Sequence, residues 1–318
     1  MKERLRASRR GSLPVLAVIA ALAVLTALLS IYALRQTRVA GEGESPGPAP
    51  TWSNEFAPHA SPSSTGSPAA IDSAAVVAPN LLSFADALVG VRGFRGSCGT
   101  TTPTLERTPD GGVTWMPLSF GTLSVREILA VSAVSETQVD LVARVGDDCA
   151  TTVVTSYTSG DFWQSYPDRL TEFTYVDPAD PTVIYSEGSQ TPSPCAAPLD
   201  ATRLSESALA VLCEGAVFVA PPGFSFVTVG VTAPLAMSAG QDGATLVMAS
   251  GETGSCTGIQ VAQVAVASAE APTVQACIDE NSLGSLSLAT AGTSAWIWAG
   301  STIFYSMDSG ITWVPLAP

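Results

Sequence analysis

The feature that most constrains the fold is a short turn pattern that the chain repeats. Residues 107 to 118 read RTPDGGVTWMPL, and residues 306 to 316 read SMDSGITWVPL. Both copies place a hydroxyl residue, an aspartate, a glycine, a threonine and a tryptophan at the same spacing. These residues are Thr108, Asp110, Gly112, Thr114 and Trp115 in the first copy, and Ser306, Asp308, Gly310, Thr312 and Trp313 in the second. Such recurrence is typical of a fold assembled from repeated units.

The spacing of the copies predicts the length of one unit. A less complete copy keeps Ser156, Gly160 and Trp163 but has threonine where the aspartate stands, and a weaker candidate, VAPPGFSF, has its glycine at Gly223. The four glycines are 48, 63 and 87 residues apart, and the last interval is best divided into two units. Four steps over 198 residues give about 50 residues each, which is the length of a four-stranded propeller blade with long loops.

The alternation of short apolar runs with turns along the chain agrees with this interpretation. From Leu81 onward, short apolar runs such as QVDLVARV and AWIWAG alternate with turns of Gly, Asp, Ser and Pro, and no segment sustains a 3.6-residue period. We therefore predict an all-β fold, a β-propeller of about five four-stranded blades, with a sixth blade inside 171–228 as the alternative. The predicted blades are 81–120, 122–168, 171–228, 230–280 and 282–318, with the last blade's strands near 285–289, 295–299, 302–306 and 312–316.

The repeated pattern, S/T-x-D-x-G-x-T-W, resembles the Asp-box motif. Residues 81–318 are therefore similar to the BNR/Asp-box β-propellers, whose best-known members are sialidases. The stretch YVDPADPTVIY (175–185) also resembles the D-P-x-x-P-x-x-x-Y strand of many non-catalytic repeats in this group. The resemblance implies that each box turns a blade's third strand into its fourth, on the rim and away from the central pocket.

These box residues are interpreted as a clasp for the turn and not as ligand contacts. A short carboxylate can accept hydrogen bonds from backbone N–H groups of its own turn. Glycine permits the positive φ that such a turn needs. The tryptophan then fills the gap between neighbouring sheets.

The residues before the predicted propeller indicate a membrane anchor. Residues 13–34 run for 22 positions without a charge, which as a helix is ~33 Å long and spans the hydrocarbon layer. A cleaved signal peptide is the alternative, but its apolar core is usually only ~7–15 residues. Five positive charges before the segment and two just after it predict a cytoplasmic N-terminus. The predicted organisation is a cytoplasmic tail (1–12), a transmembrane helix (13–34), a disordered linker rich in Pro, Ser, Ala and Gly (35–80), and an extracellular propeller (81–318).

The cysteines fit an oxidising compartment. They are even in number and all follow the apolar segment, which is typical of a disulfide framework. Six cysteines allow 15 connectivities. On the predicted blades, two favoured pairs lie within a blade, Cys256 with Cys277 and Cys195 with Cys213. By elimination, Cys98 then pairs with Cys149 between adjacent blades.

Charge and histidine content limit the possible functions. From residue 81 onward there are seven arginines, no lysine and 23 carboxylates, a formal charge of −16, which disfavours nucleic-acid binding. The scarcity of lysine resembles surface proteins of high-GC actinobacteria. His59 is the only histidine and lies in the linker, so the domain lacks the general base of Ser-His-Asp and Cys-His catalysis. One histidine and no C-x-x-C pair also argue against a structural zinc site, and no cofactor is predicted.

The sequence thus favours a binding or scaffold module at the cell surface that recognises an extracytoplasmic protein or glycan without catalysis. The alternative is a glycoside hydrolase of the sialidase type. That resemblance implies an arginine triad, a Tyr/Glu nucleophile pair and an aspartic acid/base. Arg126, on a predicted innermost strand, is the best pocket candidate, and no catalytic residue is assigned.

Overall fold

Short strands separated by turns dominate the fold, as the alternating sequence predicts. The computed structural model describes residues 80–316 except 205–207, 222–224, 241, 252, 267–270, 281 and 284. The predicted tail, transmembrane segment and linker, with His59, lie outside the described residues, apart from Asn80, which begins the first strand. Gly223 lies outside them as well. In the described part of the chain, no helix is long and apolar enough to cross a membrane.

The strands form six antiparallel sheets, five of four strands and one of three. We number the sheets as blades 1 to 6 in chain order. Blade 1 contains β1 (Asn80–Phe84), β2 (Gly90–Phe94), β3 (Thr104–Thr108) and β4 (Met116–Leu118). Blade 2 contains β5 (Val125–Ala133), β6 (Val139–Val145), β7 (Ala150–Ser156) and β8 (Gln164–Ser165). A 3₁₀ helix, Pro167–Glu172, follows it.

Blade 3 contains β9 (Thr174–Val176), β10 (Val183–Ser186) and β11 (Ser189–Pro192). Blade 4 contains β12 (Pro198–Arg203), β13 (Leu209–Cys213), β14 (Ala216–Ala220) and β15 (Val227–Val229). Blade 5 contains β16 (Pro234–Ala239), β17 (Thr245–Ser250), β18 (Ile259–Ala265) and β19 (Thr273–Ile278). Blade 6 contains β20 (Leu286–Ala291), β21 (Ser294–Ala299), β22 (Thr302–Ser306) and β23 (Val314–Pro315), within two residues of the predicted strands.

The sheets close into a ring, which makes the molecule a six-bladed β-propeller. The first strand of each blade contacts the first strand of the next, and β20 of blade 6 contacts β1 of blade 1. Side chains join the two ends of the ring. Asn80 Nδ2 donates to Ser285 Oγ (3.1 Å), and Ser287 Oγ donates to the carbonyl of Asn80 (2.6 Å). The ring of Phe84 stacks on that of Trp296 with centroids 3.7 Å apart.

The predicted count of five blades is wrong, and the alternative of a sixth blade within 171–228 is confirmed. That segment contains both blade 3 and blade 4. The glycine spacing did not indicate this division because blade 3 has only three short strands. Its turns contain no copy of the box pattern, and it is shorter than the about 50 residues expected of a blade. Cys195 and Cys213 consequently belong to two structural units, the loop after blade 3 and the second strand of blade 4.

Blade 3 has three strands, so the chain enters it at one face of the ring and leaves it at the other. Arg169 of the 3₁₀ helix before it contacts Asp140 and Thr155, at the end of blade 2 where the box turn lies. The loop after it leads to Cys195, which is bonded to Cys213 at the opposite end of blade 4. An odd number of antiparallel strands starts and finishes at opposite ends, so β9 begins at the face that carries the box turns.

The core lies between neighbouring blades. Val91 and Leu105 of blade 1 pack with Ile128, Leu141 and Val154 of blade 2. Every residue of β21, SAWIWA, is buried, and the Trp296 indole donates through Nε1 to the carbonyl of Gly111 in blade 1 (2.9 Å). Packing across blade boundaries, in addition to the hydrogen bonds within each sheet, therefore stabilises the ring.

Candidate functional site

The first box turn is held together by its own side chains. Asp110 accepts hydrogen bonds from the backbone N–H of Thr114 (2.9 Å), from Thr114 Oγ1 (2.6 Å) and from Thr108 Oγ1 (2.8 Å). Gly112, at φ +100°, donates its N–H to Thr108 Oγ1 (2.8 Å), and Trp115 Nε1 donates to the carbonyl of Gly112 (2.9 Å). The hydrogen bonds that Asp110 accepts favour its ionised form and lower its pKa, and the bonds from Thr114 contribute most.

The last box turn repeats this arrangement. Asp308 accepts from Thr312 N (2.8 Å), Thr312 Oγ1 (2.6 Å) and Ser306 Oγ (2.8 Å). The bonds from Thr312 are the main reason that the pKa of Asp308 is lowered to about 2. The other two bonds also recur, from Gly310 N to Ser306 Oγ (2.9 Å) and from Trp313 Nε1 to the carbonyl of Gly310 (2.9 Å).

The middle turn keeps the same backbone with fewer bonds. Gly160 N donates to Ser156 Oγ (2.9 Å), and Phe162 N donates to Thr158 Oγ1 (2.9 Å), so a hydroxyl stands where the other turns have a carboxylate. Trp163 Nε1 is buried and has no hydrogen-bond partner in the protein. The turn therefore forms without the aspartate, but it is less completely bonded.

All three turns also dock on their own blades. The backbone N–H groups of Gly111, Ser159 and Ser309 donate to the carbonyls of Leu88, Thr137 and Thr293, at 2.7, 2.8 and 2.8 Å respectively. We call the face of the ring that carries these turns the turn face. Apart from Trp163 Nε1, the polar side-chain groups of the box residues bond within the turns, and none of the box residues lines the central channel.

The central channel is the main cavity among the described residues, with a volume of about 440 Å³. Its wall is made by the innermost strands of blades 1, 2, 4, 5 and 6 and by the start of β9 in blade 3. Small hydroxyl side chains alternate with leucines along this wall. The hydroxyl residues include Ser83, Ser132, Thr202, Ser238, Ser287 and Thr290.

Arg95 lies at one end of the channel. It directly follows β2, and its carbonyl accepts a hydrogen bond from Ile128 N of blade 2 (2.8 Å), which fixes the backbone between two blades. Its Nε is buried and has no hydrogen-bond partner in the protein. Burial lowers the pKa of Arg95, while the charges of Asp200 and Glu127 raise it. A guanidinium nonetheless stays charged at physiological pH.

Asp200 lies on the same end of the channel, near the start of β12 in blade 4. The surrounding protein disfavours its ionised form and raises its pKa to about 6, although the charge of Arg95 and the N–H of Ala201 oppose this shift. The Ala201 N–H lies 2.8 Å from Asp200 Oδ1. A carboxyl group whose pKa is raised to about 6 thus faces a channel that also holds Arg95, whose Nε is buried.

The opposite end of the channel is charged but internally paired. Arg203, the last residue of β12, forms an ion pair with Glu187 in the β10–β11 turn. Glu172 pairs with Arg169, which also holds Asp140 through Nη2 (3.0 Å). Of the two arginines that line the channel, Arg95, at the end away from the turn face, is therefore the one with a buried donor that has no partner.

The three disulfides lie at that same end, which we call the disulfide face. They join Cys98 to Cys149, Cys195 to Cys213 and Cys256 to Cys277, the pairing favoured from the sequence, and leave no free cysteine in the described chain. Cys98 follows Arg95 by three residues, and its partner precedes β7 of blade 2. This disulfide fastens the loop that carries Arg95 to the neighbouring blade.

The placement of Arg126 in the pocket is wrong. Its side chain is 46% exposed and pairs with Asp147 in a loop of blade 2, and it is not among the residues that line the channel. The pairing register of β5 shifts between Val125 and Glu127, so Arg126 sits at a β-bulge. A bulge redirects the side chain of the extra residue. No feature of the local sequence predicts a bulge at this position.

The structure does not bring together the groups that the sialidase resemblance requires. Among the described residues that line the channel, the arginines are Arg95 and Arg203, and none is a tyrosine. Arg95 follows β2 at the disulfide-face end of the channel and Arg203 ends β12 at the opposite end, so they do not converge on one carboxylate. No cluster of three or more His, Cys, Asp or Glu side chains in the described chain has the arrangement of a metal site.

Sequence reasoning missed Arg95 and Asp200. The stretch GVRGFRG contains Arg95, but two arginines in seven residues do not show which one reaches the channel. Arg92, the other one, pairs with Glu106 and stacks over Trp115 instead. Asp200 lies between two prolines and a cysteine on one side and an ordinary strand on the other, with no motif around it.

Comparisons with known proteins add little to this geometry. No protein-family model matches the chain, and no curated protein matches it. A solved structure of YCF48 bound to D1 peptide is 17% identical, with 75% of this chain and 81% of that chain covered and a TM-score of 0.40. YCF48 from Cyanidioschyzon merolae is 14% identical, with coverage of 75% and 85% and a TM-score of 0.39. The GH74 enzyme of Niastella koreensis is 13% identical, with coverage of 74% and 34% and a TM-score of 0.28. At such scores these similarities carry no functional argument.

Proposed function

We propose that this chain is a membrane-anchored, extracytoplasmic binding module, whose propeller recognises a partner protein through the central channel and the disulfide face around it. The observation that carries the proposal is the contrast between the two ends of the channel. At the turn-face end of the channel Arg203 pairs with Glu187 and Glu172 pairs with Arg169, whereas at the disulfide-face end Arg95 has a buried Nε that bonds to no group of the protein. A buried polar group without a partner is costly, and a ligand can remove that cost.

The proposed location rests on two observations. The cysteines are paired throughout the described domain, as is usual for proteins of oxidising compartments. The uncharged segment 13–34 has the length of a membrane span, and the basic residues before it favour a cytoplasmic N-terminus. Together these support a tail inside the cell and a propeller outside it.

The same features support binding in preference to catalysis. The channel holds few charged groups, and its wall is mostly hydroxyls and leucines. Such a surface can recognise a chain through shape and hydrogen bonds. The sialidase-type alternative remains the second function to be tested, although no arrangement in the channel favours it.

Proximity labelling tests the proposal. A peroxidase fused to the C-terminus of the full-length chain should label a reproducible protein partner in intact cells, and external protease should remove an epitope at the same position. A fluorogenic sialoside is offered to the purified chain in parallel. The proposal fails if labelling is no different from that of a free secreted peroxidase, if the epitope is protected, or if the sialoside is hydrolysed at the rate of an authentic sialidase.

A further inference from the structure

At the disulfide-face mouth of the channel, a hydrogen-bond donor of Arg95 has no acceptor in the protein. The Arg95 side chain lines the channel, and its Nε is buried without a partner. The other channel arginine, Arg203, already pairs with Glu187. Guanidinium groups bind carboxylates with two parallel N–H···O bonds, which makes a carboxylate the acceptor that best fits this position.

The protein holds Arg95 in place before any ligand arrives. Its carbonyl is bonded to Ile128 N, and the next residue, Gly96, forms a β-bridge with Glu127. The disulfide between Cys98 and Cys149 fixes the following loop to blade 2. The backbone that carries the Arg95 side chain is therefore already ordered, and this lowers the entropy cost of binding.

The channel wall favours a peptide as the bearer of that carboxylate. Each of the six first strands lies at an edge of its sheet, with the next strand of its blade on one side only. Hydroxyl side chains occupy part of these edges, since Ser287 Oγ donates to the carbonyl of Asn80 and Thr290 Oγ1 to that of Ala239. The rest of such an edge presents backbone N–H and C=O groups that a peptide main chain can pair with.

We propose that the disulfide-face mouth of the channel binds a carboxylate of a peptide through Arg95, with Asp200 opposing the ligand when it is ionised. The peptide contributes the carboxylate from either its C-terminus or an acidic side chain. This inference rests on the proposed binding function and names the chemistry of the ligand.

Asp200 makes the binding dependent on pH. Its pKa is raised to about 6 by burial, so it is largely ionised at pH 7.5 and largely neutral at pH 5. A peptide C-terminus has a pKa of about 3.3–3.7 and stays ionised at both pH values. Repulsion between two carboxylates therefore falls on acidification, and affinity should rise. The charged groups around this mouth are Arg95 and Glu127, and Glu172 and Arg203 line the channel further along.

The test uses the full-length chain in detergent and four small probes, observed by saturation-transfer NMR. N-acetyl-leucyl-alanine carries a terminal carboxylate, its C-terminal amide carries none, N-acetyl-aspartyl-alanine amide carries one on a side chain, and 3′-sialyllactose carries one on a sugar. We expect at least one peptide acid to bind, at least tenfold more tightly than the uncharged amide. Its affinity should rise between pH 7.5 and pH 5 in the wild type, and should not change with pH in Asp200→Asn.

Matched arginine variants identify the site. Arg95→Gln should weaken binding of the peptide acid by about tenfold or more, whereas Arg107→Gln, on the turn face and outside the channel, should leave it unchanged. Thermal melting shows that both variants are folded. The inference is overturned if acids and amide bind alike, if no peptide acid binds, if Arg95→Gln binds the acid as the wild type does, or if only the sialoside binds.

Failure of this inference can be told apart from failure of the proposed function. The proximity-labelling experiment is repeated with Arg95→Gln in the full-length chain. If the same partner is labelled with both proteins, the binding function stands and the carboxylate site is wrong. If neither protein labels a partner, the binding function itself is wrong.

Discussion

The two faces of this propeller are stabilised in different ways. On the turn face, each box turn is closed within eight residues, and Asp110 and Asp308 bond to groups two and four positions away. On the disulfide face, covalent bonds join segments 18 to 51 residues apart, and Arg95 and Asp200 interact through their charges. The turn face is therefore stabilised mainly by local bonds within its turns, and the disulfide face by covalent bonds between segments further apart in the chain.

This difference indicates which face can be substituted without a large loss of stability. Side chains that accept several bonds within a turn cannot also bind a partner without opening that turn. The channel groups at the disulfide face contribute less to local structure, so their chemistry is available. Substitutions on the two faces should accordingly separate stability from binding.

The largest effect is expected from the disulfide between blades 1 and 2. Removing it with Cys98→Ala and Cys149→Ala opens a loop of 51 residues, and chain entropy predicts a loss of about 4 kcal/mol in unfolding free energy. Denaturant unfolding of the oxidised protein measures the loss. The matched variant, Cys256→Ala with Cys277→Ala, opens 21 residues and should lose about 3 kcal/mol. A loss below 1 kcal/mol for the first variant would contradict long-range stabilisation of this face.

Asp200→Asn should give the next largest effect, and its sign should be opposite to that of most substitutions. The folded-state pKa of Asp200, about 6, lies above the ordinary value of 3.8, so its contribution to stability is full below pH 3.8 and is lost as the pH rises through 6. The variant should therefore match the wild type at pH 4 and exceed it by about 1–3 kcal/mol at pH 7.5. Denaturant unfolding at both pH values tests this, and a variant less stable at pH 7.5 refutes it.

Asp110→Ala tests the turn face and should have a smaller effect. The melting temperature at pH 7 should fall by about 2–4 °C because Thr108 and Thr114 lose their acceptor. The lowered pKa of Asp110 means that its stabilisation is present above pH 3.8 and lost as the pH falls through the lower folded-state value, so the deficit should close on acidification. Affinity for any ligand of the channel should not change. Asp161→Ala, at an exposed position of the middle turn, is the control and should melt like the wild type. Lost binding at full stability would show that the box is a ligand site.

The two faces also differ in how far sequence predicts them. The box turns were predictable because every group in them lies within eight consecutive residues, from Thr108 to Trp115 in the first copy. The three disulfide pairs favoured from the sequence are confirmed, but Cys195 and Cys213 join two blades and not one, because the sequence did not show where blade 3 ends. The channel chemistry was not predictable, because Arg95 and Asp200 come from blades 1 and 4 and meet only when the ring closes. Arg126 was misplaced because a β-bulge, which depends on pairing with β6, turns its side chain outward.

The smallest effect is expected where the middle turn is given the residue that it lacks. Thr158→Asp supplies a carboxylate where Phe162 N now donates to a hydroxyl (2.9 Å), so the melting temperature should rise by about 1 °C. The gain is limited because Phe162 stands where the other turns have threonine, which leaves one carboxylate oxygen without a hydroxyl donor, and because Asp161 is a nearby like charge. Thr158→Asn, which has the same shape without the charge, should melt like the wild type in differential scanning calorimetry. A fall in melting temperature for Thr158→Asp would mean that the carboxylate stabilises the other two turns only together with the threonine that follows it.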